Sequence, residues 1–395
     1  MTRRIFDLAL RVSTAVALTI LIASVVAAQS GSNLTSEIRD SVEAWRARSG
    51  QPTGLVVGVY RRGTTIFSQG FGTTRIGSND PVTTRTIFHL ASVTKPFVAT
   101  AVMQLAEQGK VDIDAPVTRY LPYFTMKDPR AASITVKQLL THTAGMPDVT
   151  NYHWERPEYD DESLERYVRG LADSTLVFAP GTAWQYSNIG FEVLADLIAK
   201  VSRQPFEAYM QREILTPLGM THSTLLMTDV DSANLARGHE RANAGKPVLS
   251  SVYPYNRRHA ASSTLHSNLS DMLRWAAANL KKGELDGHRI ISVAAIDRMW
   301  AVQYDQTQEF TERAKRASRP MLYAAIGQGL GWRIFTLQGQ NLVSHSGGDT
   351  GFRSDLLLWP AELSAVVVMM NDEAGNPGEL SRMIYALLLA RMGQP

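Results

Sequence analysis

Ser92 and Lys95, three positions apart at the mouth of a helix, pair a nucleophile with a base. They close the stretch Thr86-Ile87-Phe88-His89-Leu90-Ala91-Ser92-Val93-Thr94-Lys95. The recurrence of Phe97, Val98, Val102, Leu105 and Ala106 predicts a helix over 96–108, with Gly109 as its stop. Side chains three apart in a first turn share a face, so the hydroxyl and the amine can meet. A serine is a poor nucleophile until a base takes its proton, and a lysine can do so only as the neutral amine. Burial beside a helix N-terminus favours that form, and the free N–H groups there suit a developing oxyanion. The pair reads as Ser92 attacking and Lys95 activating. A Ser-x-x-Lys also arises by chance in a chain of 395 residues, so its context decides.

Two further stretches carry candidate groups. In Pro180-Gly181-Thr182-Ala183-Trp184-Gln185-Tyr186-Ser187-Asn188, a turn leads into a helix bearing Val193, Leu194 and Leu197. Tyr186 could shuttle a proton and Asn188 could hydrogen-bond a substrate amide. The alternative is plain capping by Ser187-Asn188 and a packed tyrosine. In Leu342-Val343-Ser344-His345-Ser346-Gly347-Gly348 a strand runs into glycines, which often marks the close approach of another backbone. A substrate laid along that edge would gain main-chain hydrogen bonds, and the Gly348 N–H could pair with that of Ser92 as an oxyanion hole. The alternative is a tight hairpin with a surface histidine.

Around these groups the hydrophobic periodicity changes along the chain. An amphipathic helix over 34–49 carries Leu34, Ile38, Val42 and Trp45 on one face. Apolar runs at 54–60 and 64–68, around Arg61-Arg62-Gly63, predict a hairpin. From about 110 to 290 the periodicity is helical, near 135–141, 161–173, 188–203, 205–215 and 268–281. Strand signals return at 331–336, 341–345, 355–359 and 365–370, and a helix over 378–392 follows. Strands at both ends with helices between predict an α+β fold: one antiparallel sheet made from both chain ends and flanked by helices, with an inserted all-α lobe. The expected division is an α/β lobe of 29–109 and 291–395, a helical lobe of 110–290, and a crevice between them as the binding site.

Composition narrows the classes. The chain is 44% hydrophobic and 19% charged, with no cysteine, which excludes disulfides and thiolate chemistry. Of the net +3, the first 28 residues carry +2, through Arg3, Arg4 and Arg11 against Asp7. The remainder is near neutral and has no basic stripe, so no nucleic-acid partner is expected. Those first residues hold an apolar run, Val12 to Ala28, ending in Val26-Ala27-Ala28. This predicts a signal peptide over 1–28 and an exported, periplasmic or secreted protein that meets the membrane only through that segment if it is uncleaved. Thr2-Arg3-Arg4-Ile5-Phe6 is similar to a twin-arginine signal. No His-Glu-x-x-His and no Gly-x-Ser-x-Gly occurs, and Gly327-Gln328-Gly329-Leu330-Gly331 leads into a strand instead of out of one. No metal and no cofactor is expected.

Ser92-x-x-Lys95, Tyr186-x-Asn188 and His345-x-Gly347, in that order, resemble the three boxes of the penicillin-recognising serine hydrolases. The branch is that of class C β-lactamases, D-alanyl-D-alanine carboxypeptidases and esterases. Leu139-Leu140-Thr141-His142-Thr143-Ala144-Gly145-Met146 and Pro217-Leu218-Gly219-Met220 extend the resemblance, which covers roughly 40–390. It implies the β-lactamase/transpeptidase-like fold, with Ser92 as the acylated nucleophile, Lys95 as its base and Tyr186 as proton shuttle. Asn188 and the strand of His345, Ser346, Gly347 and Gly348 would align the substrate, a small molecule or short peptide: cell-wall peptide, ester or β-lactam. Where β-lactamases of this kind carry Lys-Thr-Gly, this chain has His345-Ser346-Gly347. A histidine is only partly charged near neutral pH. This favours a peptidase or esterase over a true β-lactamase and predicts a rate dependence on pH below about 6.5. A non-catalytic sensor of cell-wall peptides on the same fold is the other class, disfavoured by retention of Ser92, Lys95 and Tyr186 together. The sequence places His142 in a structural role. Tyr152, His153, Trp154 and Tyr159 are either pocket lining or core, and Arg353 either a carboxylate anchor or a solvated side chain.

Overall fold

β-Branched and apolar runs from the two ends of the chain meet in one eight-stranded sheet. A computed structural model describes residues 33–391 except 243–244 and 319–321, so the expected signal peptide lies outside the described residues. The strands are β1 (Gly54–Arg61), β2 (Thr64–Gly72), β3 (Tyr304–Asp305), β4 (Ala325–Gln328), β5 (Arg333–Leu337), β6 (Gln340–Asp349), β7 (Phe352–Trp359) and β8 (Ser364–Met370). Their spatial order is β2-β1-β8-β7-β6-β5-β4-β3, antiparallel throughout. The join between the chain's ends is β1 against β8, with Val57 opposite Val368.

Side chains alternate across a strand, so each face of the sheet builds its own core. On one face Leu55, Val57 and Val59 of β1 meet Val366, Val368 and Met370 of β8. Two helices cover them: α1 (33–48), through Ile38, Val42 and Trp45, and a C-terminal helix over Pro377–Ala390, through Leu380, Ile384 and Leu388. The opposite face carries Val56, Val367 and Met369, and it continues into the core of the helical region. That region contains α2 (Thr94–Glu107), α3 (Asn188–Ser202) and α4 (Leu269–Leu280); the C-terminal helix is α5. Every residue of α2 from Thr94 to Leu105 is buried, the mark of a helix enclosed on all sides. α4 falls within the helical stretch of the sequence yet lies on the sheet. A Cβ at Gly58 of β1 would come within 2.7 Å of Leu269 Cδ1, so the glycine is what admits it.

The structure adds elements not expected from the sequence. β3 and β4 have two and four residues, and the helices Val293–Trp300 and Thr307–Arg316 fill the stretch between α4 and the sheet. Gly327 and Gln328 of the glycine-rich stretch stand within β4 itself. The helix expected over 205–215 is α-helical for Phe206–Met210 and continues as a π-helical turn over Gln211–Leu215.

Candidate active site

Ser92 stands in a 3₁₀ turn, Ala91–Val93, that runs directly into α2. Ala91 takes the left-handed conformation (φ 49°), a strained choice for a residue with a side chain, and it re-aims the chain just before the serine. Ser92 is half-buried; Lys95, one turn on, is fully buried. Lys95 Nζ donates to Ser92 Oγ (2.9 Å), Asn188 Oδ1 (2.6 Å) and the Ser262 carbonyl (2.9 Å). Three acceptors match the three donors of an ammonium. Asn188 Oδ1 and the carbonyl can only accept, so in the neutral amine they engage both N–H groups and leave the lone pair facing Ser92.

Tyr186 OH donates to the same Ser92 Oγ at 2.9 Å. Its ring lies 4.3 Å from that of His142, and Lys95 Nζ stands 5.0 Å from its centroid. Ser187 caps α3 by accepting from the Gly190 N–H, so the capping expected there is real and coexists with the site. Asn188, buried in the first turn of α3, donates through Nδ2 to Asp148 Oδ1 (3.0 Å), as does its backbone N–H (2.8 Å). Both ends of this amide are engaged within the protein, so the arrangement suits it to orienting Lys95.

The third stretch closes the site. β5 pairs with β6 only as far as Arg333 opposite Ser344, so His345 to Asp349 have β7 on one side and an open edge on the other. A Cβ on Gly347 would lie 2.2 Å from the Leu90 carbonyl and 3.0 Å from the Ser92 nitrogen. This is the close backbone approach that the glycines signal, and it brings the edge against the serine's own N–H. His345 is not a surface residue: it is 4% exposed, with Nδ1 2.9 Å from the Ser346 carbonyl. Burial, then the Lys95 charge, holds its pKa well below the ordinary histidine value, and His142 is held low by the same causes. Both imidazoles are neutral at pH 7. The partial charge expected of His345 is therefore corrected: an imidazole this deeply buried has lost most of the hydration its charged form needs.

A cavity of about 490 Å³ opens along the free edge of β6. Its lining runs from Tyr186 and His345 to Gly348 past Arg333 and Arg353 to Arg382 at α5. Ser92 is not itself part of that lining; it meets the cavity through Tyr186. Arg353 Nη1 is engaged with the Asp349 and Phe352 carbonyls, both at 2.7 Å. Tyr152 and Trp154 stack on each other (5.0 Å), Tyr159 is half exposed, and none of the four residues at 152–154 and 159 lines this cavity. Among the described residues no group of three or more His, Asp or Glu is placed to hold a metal ion.

Sequence reasoning missed Asp148, Ser262 and Arg333. Asp148 follows Pro147 in the turn after Met146, and Ser262 acts through its backbone, which no side-chain pattern reports.

The fold and the arrangement of boxes define the class of the penicillin-recognising serine hydrolases. A solved structure with the same architecture is the octameric penicillin-binding protein homologue from Pyrococcus abyssi, with a TM-score of 0.78 and 25% identity over 90% of this chain and 77% of that one. The chain belongs to the Beta-lactamase family, whose model matches residues 33–391. Curated relatives include Protein flp of Staphylococcus aureus (strain COL), 25% identical over 84% of this chain and 62% of that protein. Esterase EstB of Burkholderia gladioli is 34% identical over 46% of this chain and 49% of its own length. The chain thus spans less than two thirds of the length of these relatives.

Proposed function

We propose that this protein is an exported serine hydrolase that works through an acyl-enzyme at Ser92, on an ester or a short peptide. The observation that carries the reading is the convergence of Lys95 Nζ and Tyr186 OH, each 2.9 Å from Ser92 Oγ. Lys95 Nζ takes the Ser92 proton as Oγ attacks the carbonyl carbon. The negative charge forming on the carbonyl oxygen faces the Ser92 N–H and the Gly348 N–H. Tyr186 gives its phenolic proton to the leaving group and regains one from the Lys95 ammonium, and water then releases the acyl group by the reverse path.

The similarity to an esterase supports the ester reading, and the neutral His345, standing where β-lactamases of this kind carry a lysine, disfavours a true β-lactamase. A peptide with a free carboxylate is the second reading. It is favoured by Arg333, which lines the cavity, stands opposite Ser344 in the sheet and has no ion-pair partner among the described residues.

The deciding experiment incubates the protein with a penicillin and, separately, with p-nitrophenyl acetate, following intact mass and product, with Ser92→Ala as control. Ester turnover that disappears in Ser92→Ala is expected. A lasting penicillin adduct on Ser92 selects the peptidase reading, and rapid loss of the drug restores the β-lactamase. Turnover unchanged in Ser92→Ala would sink the mechanism. Export is tested by the mature N-terminus, expected at Gln29 after cleavage behind Ala28.

A further inference from the structure

One buried carboxylate, outside the serine–lysine–tyrosine group, ties three walls of the site together. Asp349, the last residue of β6, accepts at Oδ2 from His89 Nε2 (2.7 Å) and from Ser263 Oγ (2.9 Å). The His89 side chain is fully buried and that of Asp349 is 7% exposed. Each of the three sits close in sequence to an atom the reaction uses. His89 lies three residues ahead of Ser92, in a two-residue strand paired with His266–Ser267. Ser263 follows Ser262, whose carbonyl holds Lys95. Asp349 follows Gly348.

This half of β6 needs holding. It lacks a strand on the β5 side; Gly347 packs against the serine segment, and from the neighbouring β7 Ser354 Oγ donates to the Leu90 carbonyl at 2.6 Å. The surroundings of the clasp carry little competing charge. The His89 ring packs against His266 (5.5 Å), Phe352 (5.6 Å) and Tyr253 (6.2 Å). Burial and His89 hold His266 down to about 3, and burial pushes the Tyr253 phenol up, so both are neutral. Arg353 reaches the Asp349 backbone carbonyl, leaving the carboxylate to its two side-chain partners.

We propose that His89, Asp349 and Ser263 form a positioning clasp that sets the gap between the Ser92 and Gly348 N–H groups and seats the Ser262 carbonyl behind Lys95. The proposal rests on acyl transfer at Ser92. A donor pair aimed at a charge that exists only in the transition state acts on kcat, and a misplacement of about 1 Å costs on the order of 10²-fold.

The test uses the full chain with p-nitrophenyl acetate and with phenylboronic acid, whose tetrahedral adduct on a serine mimics the charged intermediate. Rates are expressed per mole of folded protein. Asp349→Ala is expected to lower kcat and kcat/KM together by about 10–100-fold and to weaken boronate inhibition in parallel. Asp349→Asn, which keeps an acceptor, recovers most of the loss. Ser263→Ala, which removes one arm, loses roughly 3–10-fold and carries the test should Asp349→Ala fail to fold. Tyr253→Phe, in the same cluster but off the clasp, leaves both readouts at the wild-type level. Asp349→Ala or Ser263→Ala with a lower Tm but wild-type kcat and boronate affinity overturns the clasp. Turnover surviving in Ser92→Ala overturns the acyl-enzyme reading instead, so the two failures are distinct.

Discussion

At the scale of single residues, the site is built from groups that each satisfy more than one partner. Tyr186 is the clearest case for a test, because its ring and its hydroxyl do separate things. The ring packs on His142, and the hydroxyl reaches Ser92. Tyr186→Phe keeps the packing and removes the proton path. The expected result is a fall in kcat of about 10²–10⁴, the usual range for a lost acid–base group, with Tm unchanged. A kcat within a factor of three of wild type would remove Tyr186 from proton transfer. The serine, lysine and tyrosine were legible in the sequence because each sits at a local landmark: a helix mouth for Ser92 and Lys95, a cap for Tyr186. Asp148 and the His89–Asp349 contact were not. Their partners are 40 and 260 positions away, and a lone polar residue in a loop carries no period from which such a distance could be read.

At the scale of elements, the strand β6 and the turn before α2 are fitted to each other through Gly347. The added methyl of Gly347→Ala would meet the Leu90 carbonyl at 2.2 Å, a backbone atom that cannot rotate away. The methyl of Gly348→Ala meets Arg353 Cδ at 3.2 Å, the middle of a flexible side chain. Gly347→Ala is therefore expected to destabilise by about 1–3 kcal/mol, the usual range for overpacking, and to cut kcat by on the order of 10²-fold. Gly348→Ala should cost much less in both. Denaturant titration and ester kinetics on the two variants check this, and equal losses would place the close approach elsewhere. The long strands β1, β2, β6, β7 and β8 were legible from their apolar runs. β3 and β4 were not, since two residues, or Ala-Ile-Gly-Gln, show neither alternation nor strong β-propensity.

At the scale of the whole molecule, buried ionisable groups on different elements make stability depend on pH with opposing signs. His142, His345 and His266 have folded pKa values below the ordinary 6.5, so their contribution is complete above that pH and is lost as pH falls, when only the unfolded chain takes up protons. Asp196 and Asp355 are pushed up to about 6 by burial, so the folded state takes up their protons first and acidification through pH 6 favours it. Between pH 7.5 and 5.5 the histidines therefore lower the stability and the carboxylates partly restore it. His239 is likewise held low by burial and Asp271 pushed up, so the histidines remain the more numerous and a net loss of stability is expected. Calorimetry at the two pH values checks the sign. The Tm should fall on acidification, and should fall less in His345→Gln; a Tm that rises would contradict the neutral burial of these histidines.

The join of β1 to β8 has a further consequence. Glu37 of α1 forms an ion pair with Arg391, just past α5, so the two extremities of the described chain stand side by side. The backbone then closes into a ring with a single cut. A short linker could seal that cut, and new termini could be opened at the exposed turn Asp286-Gly287, distant in sequence from every residue of the site. Each strand would keep its neighbours and the serine its partners. The order in which these elements are translated is separable from the order in which they pack, and circular permutants of this fold are accessible without redesign of its core.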